Sequence, residues 1–159
     1  HQDIEEVITG VEWTTILFFT GLFVVVGGLQ ETGIIQVLAN GLMDLTKGHM
    51  TMTILLILWV SAIVSSFLDN IPFVATLIPL ILTMQSSGVD VTPLWWAVSL
   101  GACLGGNGTL IGASANVVLS GISTRHGFPI TFASYLKVGF PMMLVSVAIS
   151  TVFLLIRFG

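Results

Sequence analysis

A nine-residue stretch, Ser65-Ser66-Phe67-Leu68-Asp69-Asn70-Ile71-Pro72-Phe73, separates two strongly apolar runs and constrains everything around it. On one side, Thr53 to Val64 contains only Thr53 and Ser61 as polar residues; on the other, Phe73 to Met84 contains only Thr76 and Thr83. A carboxylate, an amide and two hydroxyls placed there either sit in hydrocarbon at a cost of several kcal/mol or serve a site. A second interruption, Gly105-Gly106-Asn107-Gly108-Thr109, has the same character. The sequence predicts that the two breaks face each other inside a membrane and form an ion or substrate site.

Composition sets the class. Only 8% of the 159 residues are charged, 55% are hydrophobic, and the mean hydropathy is +1.05. Soluble domains carry roughly a quarter charged residues, and a chain this apolar cannot cover its surface in water. It reads as an all-α integral membrane protein, with the lipid bilayer as its main partner. The net charge of −4 draws on Asp3, Glu5, Glu6 and Glu12, and the absence of a basic patch argues against a nucleic-acid partner. Cys103 is alone, which excludes a disulfide framework and a cysteine metal site; it reads as a small apolar helix residue. The chain opens on His1 without a signal-peptide pattern and is expected to be a piece of a longer polypeptide.

Taken in order, residues 1–11 are polar and acidic and read as an interfacial or loop segment. Residues 13–29 read as a transmembrane helix of roughly 25 Å, with Gly21, Gly27 and Gly28 inside it, Trp13 as an interfacial anchor, and Glu12 and Glu31 at its ends. Residues 32–46 carry Ile34, Val37, Leu38, Leu42 and Leu45 at helical spacing and read as an interfacial amphipathic helix; the alternative is a helix packed inside a bundle. Lys47-Gly48-His49 ends it. Residues 50–84 read as a re-entrant hairpin. Its arms, Met50–Phe67 and Ile71–Met84, reach roughly 27 Å and 21 Å against a hydrocarbon core of about 30 Å, and such a tip is allowed only where protein or water surrounds it. Residues 94–122 read as one transmembrane helix broken at Gly105 to Thr109, with Pro93-Leu94-Trp95-Trp96 marking an interface at its start. A loop with Arg125 and His126 leads to a final crossing over 135–158, with Lys137 and Arg157 as snorkelling anchors.

The candidate site follows from these breaks. Asp69 and Asn70 are suited to cap the helix beginning near Ile71, with Pro72 in its first turn. A carboxylate is a costly cap in so apolar a place, so Asp69 is also expected to bind a cation or exchange a proton. Ser65, Ser66 and Asn70 add oxygens that suit Na+ or H+, which gives a candidate Na+ site at Ser66, Asp69 and Asn70. Across the second break, Gly106, Asn107 and Thr109 are expected to close the cradle, with Asn116 and Ser114 further along. Two interrupted segments of this kind point to a secondary-transporter core. No catalytic residue and no resident cofactor beyond a coupling Na+ or H+ are expected. The rival classes are an ion channel and an intramembrane serine protease. For the latter, Ile111-Gly112-Ala113-Ser114-Ala115 supplies a serine, with only His126 or His49 as a base.

Two long motifs carry a family resemblance. They are Val60-Ser61-Ala62-Ile63-Val64-Ser65-Ser66-Phe67-Leu68-Asp69-Asn70-Ile71-Pro72-Phe73-Val74-Ala75-Thr76 and the run from Gly101-Ala102-Cys103-Leu104-Gly105-Gly106-Asn107-Gly108-Thr109 through Leu110-Ile111-Gly112-Ala113-Ser114-Ala115-Asn116-Val117-Val118. With Val11-Glu12-Trp13 and Gly139-Phe140-Pro141-Met142-Met143, the chain resembles the P protein, arsenite permease and citrate-type permease family of the ion transporter superfamily. The resemblance implies an elevator-type transporter with two inverted repeats, of which this chain is the second. It also implies an N-terminal repeat in the same polypeptide as partner, a homodimer, and a multi-pass location in the plasma or inner membrane of a prokaryote. The hairpin is expected to open outward. In dicarboxylate relatives the tip carries Ser-Asn-Thr; here Leu68-Asp69-Asn70-Ile71 keeps Asn70 alone. That acidic tip resembles the antiporter and P-protein branches, and leaves arsenite, an organic anion, chloride and Na+ open as substrates.

Overall fold

The computed structural model describes residues 13–46 and 48–159. The expectations placed on residues 1–11, Glu12, Lys47 and the Trp13 side chain lie outside what it describes. Among the described residues the chain forms seven helices and no strand: α1 (Trp13–Glu31), α2 (Ile34–Thr46), α3 (Met50–Ser65), α4 (Asn70–Ser86), α5 (Thr92–Gly105), α6 (Ser114–Arg125) and α7 (Phe132–Phe158). The fold is all-α.

The boundaries have local causes. Gly33 takes φ 76°, a left-handed value open to glycine, and closes α1. α2 therefore starts at Ile34 rather than at 32, and meets the Thr20–Glu31 part of α1 at 68°. α2 buries Ile35, Ala39 and Thr46, while Gln36 donates to Asn40 at 3.1 Å on an exposed face; of the apolar residues read as one face, only Leu42 packs against the core, and Ile34, Val37, Leu38 and Leu45 are exposed. α5 begins at Thr92, two residues before Leu94, because Pro93 suits a first helical turn and the Asp90 carboxylate accepts the Thr92 N–H at 3.0 Å. α7 begins three residues before Tyr135, where Thr131 and Ser134 form a reciprocal capping box.

The core is built on α5. Its largest packing face is against α3, and α7 packs on both. The α3–α5 approach is close because Gly101 and Gly105 stand one turn apart on the facing side. A Cβ on Gly101 would lie 2.5 Å from the Leu58 carbonyl oxygen, and one on Gly105 would lie 2.6 Å from Ala62 Cα. Small residues at this spacing let helix backbones meet where apolar burial gives no drive toward association. Leu58, Ala62, Leu94, Ala97, Met143, Val147 and Leu154 fill the interior, and Trp59 Nε1 donates to Thr151 Oγ1 at 3.1 Å, tying α3 to α7. α4 packs mainly on α2 and α5 rather than on α3, its neighbour in sequence.

Many large apolar side chains lie on the surface. Val24, Val37, Leu45, Val138, Ile149 and Ile156 are all more than half exposed. Helix α7, 27 residues with a mean hydropathy of 2.2 in its most apolar window, is long and apolar enough to cross a bilayer by itself. α3 and α4 are apolar but shorter, at 16 and 17 residues. α6 shares no packing face with another helix among the described residues. Hydrogen bonds hold it instead, with Ser120 Oγ donating to the Ile130 carbonyl at 3.0 Å.

Candidate ion site at two helix breaks

The first break is short. α3 ends at Ser65, and α4 begins at Asn70 with Asp69 as its N-cap, whose carboxylate accepts the Ile71 N–H at 3.2 Å. The second break is longer than the glycine run alone predicts. Helix resumes only at Ser114, after an extended Ala113, so the interruption spans 106–113 instead of stopping at Thr109. Gly112 accounts for the difference, because it sits where backbone from three places crowds together.

The two breaks touch. Thr109 Oγ1, fully buried, donates to the Ser66 carbonyl. A Cβ on Gly106 would lie 2.8 Å from Asn70 Oδ1 and 3.2 Å from the Gly112 carbonyl. One on Gly108 would lie 2.8 Å from Ser66 Cβ and 3.1 Å from Met143 Cε. One on Gly112 would meet the carbonyl oxygens of Gly106 and Ser66 at 2.7 Å and of Ser65 at 3.1 Å. Real Cβ atoms do not come so close, so side chains larger than glycine would force the breaks apart.

Each candidate residue has a definite place. Ser65 and Ser66 are fully buried. Ser65 Oγ lies 2.7 Å from Asn70 Oδ1 and 2.8 Å from the Ala102 carbonyl oxygen. Ser66 turns its hydroxyl back onto the Ile63 carbonyl at 2.6 Å and offers its own carbonyl to Thr109. Asn116 Nδ2 donates to the carbonyls of Gly106 at 3.0 Å and Thr109 at 3.2 Å, so it laces the break to α6. Asp69 is half-buried and bonded to its own helix. Asn107 stands apart. Its side chain is exposed, and it lines a cleft of about 540 Å³ with Ser134, Tyr135, Met142 and Ser146 of α7. A Cβ on Gly139 of α7 would lie 2.7 Å from the Asn107 carbonyl, which shows how tightly that loop rests on α7. The structure thus gathers Ser65, Ser66, Asn70, Gly106 and Thr109, and sets Asn107 on the α7 side. Sequence reading placed Gly108 in the second break without a role of its own, and missed Gly112 and the Ala102 carbonyl as parts of this contact. The unusual density of glycine from 101 to 112 was the available signal.

Four helix ends converge here. α3 and α5 bring C-termini, whose free carbonyls carry partial negative charge; α4 and α6 bring N-termini, whose free N–H groups carry partial positive charge. The α4 end is capped by Asp69, whereas α6 has no side-chain cap. Such an arrangement can hold a cation against carbonyls and hydroxyls and an anionic group against N–H donors. The serine and histidine of the protease alternative are not paired within α6, because Ser114 and His126 stand at opposite ends of that helix, about 18 Å apart at 1.5 Å per residue.

An apolar helical chain in which two broken helices meet through buried polar groups has the make-up of a membrane-transporter core. The chain belongs to the citrate transporter family, which residues 1–101 match. It is 43% identical over 163 residues to the P protein of Homo sapiens, which covers 98% of this chain and 20% of that protein. It is 46% identical over 157 residues to an uncharacterized transporter of Mycobacterium tuberculosis, covering 96% of this chain and 36% of that one. A 46 kDa membrane protein of Mycobacterium leprae is 42% identical over 154 residues, covering 95% and 36%. The chain therefore spans about a fifth to about a third of the length of the curated relatives it matches. No solved structure matches it. The family found agrees with the resemblance carried by the two long motifs, and makes this a membrane protein of a transporter family.

Proposed function

We propose that the natural polypeptide is a secondary active transporter that moves an ion or small anion across a membrane, coupled to H+ or Na+, through the site where the two breaks meet. The observation that carries this is the contact itself: Thr109 bonded to the Ser66 carbonyl, with the carbonyls of Ser65, Ser66 and Gly106 crowded beside Gly112. Carbonyls and a carboxylate are hard oxygen donors that suit Na+, and Asp69 is the titratable group at the tip. The candidate Na+ position lies among Ser66, Asp69 and Asn70. Citrate, for which the family is described, is an anion that would engage the uncapped start of α6.

The membrane arrangement belongs to the same proposal. At about 1.5 Å per residue, α3 and α4 reach roughly 24 Å and 26 Å, short of a core of about 30 Å. They form a re-entrant hairpin whose tip is shielded by α5, while α1 and α7 cross in a multi-pass protein of a prokaryotic plasma or inner membrane. A second, inverted repeat in the polypeptide faces this one. Pairs of such polypeptides form a dimer, and the site moves between the two sides as an elevator.

The test is proton flux into liposomes containing the natural polypeptide, with a pH-sensitive dye trapped inside. Na+, Li+, chloride, citrate and arsenite are added in turn. Cation-driven flux that Asp69→Asn abolishes identifies a cation/proton exchanger. Anion-driven flux makes the α6 start and Asn107 the substrate side, and Asp69 the coupling group. No response to any ion contradicts the proposal.

A further inference from the structure

Two apolar troughs meet at a single polar point on α3. The longer, of about 580 Å³, follows the helix from His49 past Leu56 and Trp59 to Val60. The shorter, of about 360 Å³, lies beside Met50 and Thr51. His49, Met52 and Leu55 line both, so the troughs flank one ridge that starts at His49. Val60 stands 11 residues beyond His49, roughly 16 Å at 1.5 Å per residue, which is close to the depth of one leaflet in a core of about 30 Å. Free polar groups stand only at the start of the ridge. In the wall of the longer trough, the Thr46 hydroxyl donates to the Leu42 carbonyl and accepts from Thr53, both at 3.0 Å, and Trp59 Nε1 is tied to Thr151. His49 is exposed. Its backbone carbonyl accepts from Thr53, its ring makes no hydrogen bond to cap α3, and Thr51 adds a hydroxyl beside it.

We propose that this surface holds one diacyl phospholipid, with its phosphate at His49 and Thr51 and one acyl chain in each trough. One hydrogen-bonding junction with two apolar arms matches a lipid with one headgroup and two tails, whereas a helix of about 10 Å diameter would have to straddle the ridge. The charges at this end of the molecule are of both signs. Ser66 and Met143 both lie against Gly108 while Trp59 bonds Thr151, so α7 runs opposite to α3 and brings Arg157 to the His49 end. Gly101 faces Leu58 and Gly105 faces Ala62, so α5 runs the same way as α3, and Asp90, just before α5, stands at that end too. So does the exposed Asp44, in the last turn of α2. A guanidinium suits a phosphate and carboxylates suit an ammonium, so the headgroup is of the zwitterionic phosphoethanolamine class. The inference goes beyond the transport reading and takes from it only that α3 starts at a membrane face.

Photolabelling of the natural polypeptide in detergent micelles tests this. The probe is a phosphatidylethanolamine with a diazirine on one acyl chain, and the labelled residues are mapped by peptide mass spectrometry. Label is expected between Met52 and Val60. Excess unlabelled phosphatidylethanolamine should lower it roughly tenfold, while diacylglycerol, which lacks the phosphate, and lysophosphatidylethanolamine, which lacks one tail, should lower it less than about twofold at the same concentration. His49→Asp sets a carboxylate against the phosphate and keeps α3, because aspartate is a favoured N-cap; label between Met52 and Val60 should fall at least roughly fivefold, the equivalent of about 1 kcal/mol. No label in that segment overturns the proposal, as does equal competition by diacylglycerol or unchanged labelling of His49→Asp. A disulfide between two copies of the Met52→Cys variant, found by peptide mapping, means that a second copy covers the troughs and overturns it as well. The label is read without any flux, so the lipid site and the transport site fail separately.

Discussion

Thr109 donates its side-chain hydroxyl to the backbone carbonyl of Ser66, joining two helix breaks that lie 43 residues apart in sequence. Both partners are fully buried, so the bond is a tie inside the protein and not a surface contact. Removing the donor leaves a buried carbonyl without its partner, which costs about 1–3 kcal/mol. Thr109→Val should therefore lower the thermal unfolding midpoint, while Thr109→Ser, which keeps the hydroxyl, should restore most of it.

Asp69 is predicted to separate stability from chemistry. Its carboxylate caps α4, and asparagine caps a helix about as well as aspartate. Asp69→Asn should leave the unfolding midpoint nearly unchanged and remove the pH dependence of flux. Asp69→Ala should lose the cap as well, at a cost of about 1 kcal/mol.

Neighbouring glycines have different jobs. A Cβ on Gly105 would press into the Ala62 backbone of α3. Overpacking of this kind costs about 1–3 kcal/mol, so Gly105→Ala should give a less stable protein whose residual folded fraction still responds to ions with normal affinity. Unfolding curves beside flux saturation curves check this.

Asn116 is predicted to be a lace, with no direct contact to the transported ion. Its amide bonds the carbonyls of Gly106 and Thr109, and α6 has no helix-packing face to fall back on among the described residues. Asn116→Leu should speed hydrogen exchange across 106–113 by at least roughly tenfold, the equivalent of about 1.4 kcal/mol of local stability.

Outside the apolar helices, the Thr92 backbone and side chain bonded to Asp90 hold its carboxyl below the usual carboxylate value. The sign follows from linkage: a depressed folded value adds stability above the unfolded value, and the gain is lost as pH falls through the folded one. Asp90→Asn should therefore remove a small stabilisation at neutral pH and make no difference in strong acid, as pH-dependent unfolding curves will show.

Much of this was legible in the sequence. A charge between two apolar runs announced the first break, and a glycine cluster announced the second. The buried face of 32–46 was not legible: α2 buries Ile35 and Ala39, while Ile34, Val37, Leu38 and Leu45 of the expected apolar face are exposed. What sequence could not show was which glycine serves which neighbour. Gly101 and Gly105 meet α3, Gly106 meets Asn70, and Gly112 meets the ends of both helices, yet in one dimension they are a single cluster. The same limit hid Asn107. It lies beside Gly106 in sequence, but one residue's rotation along the break carries it toward α7 and away from Asn70. The end of the break was misjudged for a related reason: Gly112-Ala113-Ser114 reads as helix until the carbonyls of Ser65 and Ser66 are placed against it.

The most direct measurement compares cation-driven flux in Gly106→Ala and Gly21→Ala variants of the natural polypeptide. A Cβ on Gly21 meets nothing within 4 Å, whereas one on Gly106 strikes the Asn70 amide and the Gly112 carbonyl. If the meeting of the two breaks is the transport site, Gly106→Ala abolishes flux in a protein that still folds, and Gly21→Ala transports normally. Equal flux from the two variants would contradict the account.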